Sequence, residues 1–155
     1  MLHKVSKGYS MQEKRPYEEL KFYQDICEIR KLIHGLTEGF EKLHLRLVSQ
    51  MRDAARSAKQ NIREGYRKGT LGEFLHSIRI SQGSLEELSG DMEDCLEDKL
   101  ITEQQFNEFK ALYQSASYLS TQYVKAMNRQ TNIKSWRIPM KKVTLSNFKQ
   151  PKMQP

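Results

Sequence analysis

Residues 52–65 read "RDAARSAKQNIREG". Ala54, Ala55, Ala58 and Ile62 recur at helical spacing. Arg52, Arg56, Lys59 and Arg63 recur beside them. At about 100° per residue these four cations span no more than about 60° of a helix, over roughly 17 Å. Arg67 continues the row. Small residues on one stripe predict close packing against a neighbouring helix. The cations predict a charged flank, and Gly65 is read as the residue that ends the helix.

Outward from this stretch the same period persists. A first helix is predicted over residues 17–37, from Leu20, Tyr23, Cys27, Ile29, Ile33 and Leu36, with Pro16 at its first turn and Gly39 at its stop. The second runs from about Leu43 to Arg67, with Leu47, Val48 and Met51 preceding the alanines. Thr70-Leu71-Gly72-Glu73 opens a third helix as a capping box, and Thr102-Glu103-Gln104-Gln105 opens a fourth. Phe74, Ile78, Leu85, Leu88, Met92, Cys95 and Leu96 line the third. Phe106, Phe109, Tyr113, Ala116, Leu119, Tyr123 and Met127 line the fourth, to about residue 128. No period-two strand and no solenoid repeat stands out. Connections this short turn consecutive helices back on one another. The expectation is all-α: an up-down-up-down antiparallel four-helix bundle over 17–128, an N-terminal arm over 1–16 and a basic extended tail over 129–155.

Charge divides along the same lines. The 155 residues carry a formal charge of +7. Residues 46–68 hold seven basic and two acidic residues, residues 73–98 one basic and eight acidic, and the tail seven basic and none acidic. A sequence pI near 9.4 keeps nucleic acid and acidic protein surfaces in view as partners. Cys27 and Cys95 are too few for a disulfide framework, no apolar run approaches a membrane span, and the opening "MLHKVSKGYS" lacks a signal-peptide core. A cytoplasmic protein without membrane association is expected.

Together, "RDAARSAKQNIREG" and "GEFLHSIRISQGSLEEL" resemble the four-helix-bundle family named for proteins encoded in intervening sequences of bacterial large-subunit (23S) ribosomal RNA. The residues carrying the resemblance are Arg52, Ala55, Ser57, Asn61, Ile62, Glu64, Gly65, Phe74, Gly83 and Ser84, within about 17–128. It implies a small bundle, typically a homopentamer. The related accessory variability determinant proteins of diversity-generating retroelements bind nucleic acid and a reverse transcriptase. Arg63 stands where the family often has a small residue.

The row Arg52, Arg56, Lys59, Arg63, Arg67, with Lys68, has two readings. It is a stripe that tracks phosphates, or a solvated face that meets the acidic third helix within or between subunits. The tail adds Lys134, Arg137, Lys141 and Lys142 to the first reading, and Trp136, Ile138, Val143 and Phe148 as candidate docking points for a partner. Asn61, Glu64, Gly65, Gly83 and Ser84 read as structural, through caps, close approach or inter-helix bridges. Glu86, Glu87, Asp91, Glu93, Asp94, Glu97 and Asp98 read as a solvated or intersubunit face rather than a metal site, and no cofactor or catalytic motif is expected. The function expected is a non-enzymatic, homo-oligomeric nucleic-acid-binding accessory protein, for RNA or DNA, with a reverse transcriptase as a candidate partner. The alternative is a protein–protein adaptor of the same family.

Overall fold

The computed structural model describes residues 14–129, and they form four α-helices with no β-strand. These are α1 (Lys21–Glu38), α2 (Leu45–Arg67), α3 (Leu71–Glu97) and α4 (Glu103–Asn128). The first differs from expectation at its start. Pro16–Glu19 forms a separate 3₁₀ turn, closed by the Glu18 N–H on the Arg15 carbonyl at 2.9 Å. Leu20 is extended, so α1 proper begins at Lys21. Tyr17, in the 3₁₀ turn, and Leu20, at the break, are both buried in the core.

The caps decide the other boundaries. Thr70 Oγ1 accepts from the Glu73 N–H at 3.3 Å, and its hydroxyl donates to the Glu73 carboxylate at 3.1 Å. This satisfies one orphan amide; the reciprocal half of the expected box is replaced by that hydroxyl–carboxylate bond. Thr102 and Gln105 form the complete box, with Thr102 N–H on Gln105 Oε1 at 3.0 Å and Gln105 N–H on Thr102 Oγ1 at 3.2 Å. Between α3 and α4, the Leu100 N–H bonds the Cys95 carbonyl and the Lys99 N–H bonds the Leu96 carbonyl. That is a Schellman ending, and Lys99 holds φ 57° where glycine is usual.

Gly65 does not end α2. The helix runs on to Arg67, and the turn is made at Gly69, whose φ is 85°. Tyr66, inside the continuing helix, is buried.

Each helix packs against two others: α1 on α4 and α2, α3 on α2 and α4, with α2 on α3 the most extensive. The core holds Phe22, Ile26, Ile29, Ile33, Met51, Ile62, Phe74, Ile78, Leu85, Leu88, Met92, Phe109, Leu119 and Met127. Each such side chain contributes about 1.5–3 kcal/mol on leaving water. At one end a run of rings crosses all four helices in the order Tyr23, Tyr17, Tyr66, Phe74, Tyr123, Phe22, with successive centroids 5.0–6.1 Å apart. Edge-on and tilted contacts of this kind add about 0.5–1.5 kcal/mol each beyond area. No helix among the described residues is long and apolar enough to cross a membrane.

Candidate functional site

The α2–α3 seam explains the spacing of small and polar residues along both helices. A Cβ placed on Gly65 would lie 2.1 Å from Ser77 Oγ and 2.3 Å from Ser77 Cβ, so the two backbones approach closer than any side chain at 65 allows. Further along, the buried Ser81 hydroxyl donates to the Ala58 carbonyl at 2.6 Å. The Ser57 and Ser84 hydroxyls lie 3.1 Å apart, and Asn61 Nδ2 donates to the Ser57 carbonyl at 2.8 Å and its Oγ at 3.0 Å. Gln50 Nε2 reaches the Asp91 carboxylate at 3.1 Å. Asn61 and Ser84 thus join one inter-helix network. Glu64 and Gly83 stand exposed outside it, and a Cβ on Gly83 would meet nothing within 4 Å.

With α2 seated this way, the cation row divides. Arg52 is claimed by the bundle: its Nε donates to Thr37 Oγ1 at 2.8 Å and its Nη2 to the His34 carbonyl at 3.3 Å. Thr37 in turn donates to the Ile33 carbonyl at 2.7 Å. Arg52 therefore caps the C-terminal end of α1, where the helix dipole favours a cation. Arg56, Arg63, Arg67 and Lys68 are exposed, and Lys59 is half-buried. Among the described residues the ion pairs are Lys21–Asp25, Lys31–Glu28 and His34–Glu38, all within α1. None joins α2 to the acids of α3. Glu86, Glu87, Glu93, Asp94, Glu97 and Asp98 are exposed and Asp91 half-buried.

Lys59 lies in a cleft of about 650 Å³ between α2 and the start of α1, lined also by Lys14, Arg15, Glu18, Tyr23, Gln24, Cys27 and Glu28. Neither Lys14 nor Arg15 stood out in the sequence, because nothing local links them to position 59. Burial raises the Tyr23 phenol, with Cys27 beside it adding to the effect and the Arg63 guanidinium opposing it. Burial raises Tyr66 as well, and there Arg15 opposes. Burial also pushes the Cys95 thiol up to about 11, helped by Asp91, Asp94 and Asp98.

Two Glu-x-x-His spacings occur, Glu41/His44 and Glu73/His76. Among the described residues no group of three or more His, Cys, Asp or Glu is placed to hold a metal ion. Lys134, Arg137, Lys141, Lys142, Trp136, Ile138, Val143 and Phe148, with most of the N-terminal arm, lie outside the described residues. Among curated proteins, none matches this chain. Residues 18–122 match the model of the family described as 23S rRNA-intervening sequence protein.

Proposed function

From the premise that the chain belongs to the 23S rRNA-intervening sequence protein family, we propose a non-enzymatic, homo-oligomeric protein that binds nucleic acid through α2. One observation carries this reading. Among the described residues no carboxylate pairs with Arg56, Lys59, Arg63, Arg67 or Lys68, although an acidic helix packs directly against α2. Cations left unpaired along one flank are the arrangement that neutralises phosphates and releases their counterions. The basic tail adds charge to the same task. Assembly would multiply a weak face into a multivalent one. An up-down-up-down course fits the α2–α3 pairings, in which 65 meets 77, 58 meets 81, 57 meets 84 and 50 meets 91.

The test is salt-dependent binding. Arg56→Gln, Lys59→Gln and Arg63→Gln together remove charge while keeping length and helix propensity. The triple variant should stay folded and bind more weakly. Its log–log salt slope should fall by about 2.7 on duplex or about 2.1 on single strands per engaged subunit. Unchanged affinity and slope would remove α2 from the interface. Dissociation of an oligomer instead would make the row an intersubunit surface.

A protein partner is the second reading, favoured by Leu43 and Leu45. They are 85% and 70% exposed at the entry to α2, far beyond what a helix start needs. A further copy of the chain would cover them, and the pentamer implied by the resemblance would show a mass near five times 18.2 kDa by light scattering. A reverse transcriptase is the heterologous partner to try, with the tail as its docking segment.

A further inference from the structure

We infer that the cleft between α1 and α2 is a phosphate subsite that takes a single nucleotide unit, held by Lys14, Arg15 and Lys59. The inference rests on reading the α2 cations as phosphate ligands, and it gives that surface a depth that a flat stripe lacks. Three cations converge on the cleft from two separate parts of the chain: Lys14 and Arg15 from the segment before the 3₁₀ turn, Lys59 from the middle of α2. Its two carboxylates are already engaged. Glu18 Oε2 accepts from the Arg15 N–H at 2.8 Å, and Glu28 pairs with Lys31 at 3.1 Å. Among the described residues none of the three cations makes an ion pair.

The three cations outnumber the two carboxylates that line the recess, which leaves it a net positive charge that an anion would offset. Arg63 reinforces the field from the α2 side, close enough to Tyr23 to oppose the upward shift of its phenol. Arg15 in turn opposes the burial-driven rise of the Tyr66 phenol, which lies outside the cleft lining with its hydroxyl buried and without a hydrogen-bond partner.

Size sets the ligand class. About 650 Å³ sits within the ~300–1,000 Å³ range of small-molecule sites. A phosphate with its sugar and base can enter, and a duplex is too wide. Gln24, whose amide nitrogen donates to the Glu18 carbonyl, offers its amide oxygen to a base or sugar, while Arg15 and the lysines take the phosphate. The strand that uses this subsite therefore presents an unpaired nucleotide or an end there, with the rest of its backbone passing along Arg56, Arg63 and Arg67.

Cys27 supplies the test, because it lines the cleft and is half-buried. The only other cysteine, Cys95, is buried and its thiol is held up to about 11, so alkylation of the folded protein reports on Cys27. The full chain is treated with iodoacetamide alone, with a magnesium-free nucleoside triphosphate, and with a short single-stranded oligonucleotide. Binding of the same oligonucleotide is followed separately by anisotropy. With triphosphate at about ten times its dissociation constant, alkylation should slow about tenfold, as the free fraction falls. In a Lys14→Gln, Lys59→Gln variant, which changes two solvent-reachable side chains, that protection should disappear. Protection that survives in the variant overturns the subsite, since the anion then binds elsewhere. Unprotected Cys27 with both probes also overturns it; oligonucleotide binding that persists then leaves the α2 reading standing. Triphosphate protection without oligonucleotide binding upholds the subsite and sinks the nucleic-acid reading.

Discussion

The two long seams of this bundle are built on opposite plans. Between α2 and α3 the backbones nearly touch, at Gly65 against Ser77, and serines, an asparagine and backbone carbonyls bond across the gap. Between α1 and α4 the packing leaves more room. A groove of about 960 Å³ opens there, lined by Leu32, Leu36, Leu112, Gly35 and Gly39, and Ser115 Oγ donates across this seam to the buried Asp25 carboxylate at 2.6 Å. The difference teaches where identity is stored. Of the residues that carry the resemblance, Ser57, Asn61, Gly65 and Ser84 lie at the tight seam, where contact dictates residue size. At the loose seam an apolar stripe and one buried polar pair carry the contact.

Breaking the tight seam should have the largest effect. Gly65→Val forces atoms into space that Ser77 occupies, and urea denaturation should show a loss of about 3 kcal/mol. Ser77→Gly removes both clashing atoms, so Gly65→Ala combined with Ser77→Gly should recover most of the cost of Gly65→Ala alone. A double-mutant cycle measures that coupling. Additive losses would mean that the close approach is not the constraint.

At the loose seam the sensitive point is polar. Asp25 is buried, takes a hydrogen bond from Ser115 and pairs with Lys21. Asp25→Ala leaves Ser115 without its acceptor and opens a small void, costing about 2 kcal/mol in chemical denaturation. No change in midpoint would show that solvent already reaches this site.

Gly35 sharpens the contrast from the other direction. It is an α1 residue at the groove, with nothing within 4 Å of where a Cβ would sit. Gly35→Ala should therefore stabilise by up to about 1 kcal/mol through helix propensity, and thermal melting should register the gain. The same glycine-to-alanine change thus has opposite signs on the two seams.

The smallest effect concerns Asp91, whose carboxyl sits at the α2–α3 seam. Burial raises its pKa, the bond from Gln50 partly offsets this, and Asp94 and Glu87 add to the rise. A carboxyl raised in the folded state binds its proton more tightly there than in the unfolded chain. Its contribution to stability is then favourable below the ordinary value of 3.8 and is lost as pH climbs through the raised one. Asp91→Asn should melt slightly above the parent at neutral pH, and the gap should close on acidification toward pH 3.8. A gap that widens in acid would reverse the assignment.

Much of the architecture was legible without coordinates. Thr70 and Thr102 announce their helices through local chemistry, and the spacing of Phe74 through Cys95 places the face of α3 that goes inward. What escaped depended on distant partners. Arg52 looks like its neighbours Arg56 and Arg63 until Thr37 and the last carbonyls of α1 are brought beside it. Gly65 reads as a stop because glycine usually is one, and only the proximity of Ser77 reveals a packing role inside a continuing helix. Asp25 carries a charge that favours the surface, yet it shares a face of α1 with the buried Phe22 and Ile29 and is buried with them. Of the candidate interface, the exposed half of the row was readable from charge and period, whereas Lys14 and Arg15 joined it only through the fold.

The run of rings from Tyr23 to Phe22 has an optical consequence. Four of the seven tyrosines of the chain belong to it, locked edge to face in an asymmetric environment. Such rings give a near-ultraviolet circular dichroism signature that vanishes when they lose their fixed neighbours. The single tryptophan, Trp136, lies on the sequence beyond α4. The molecule therefore carries two separable colours. Tyrosine bands follow the four packed helices, and indole emission follows the segment after them, so a partner that engages one and not the other would declare itself by wavelength.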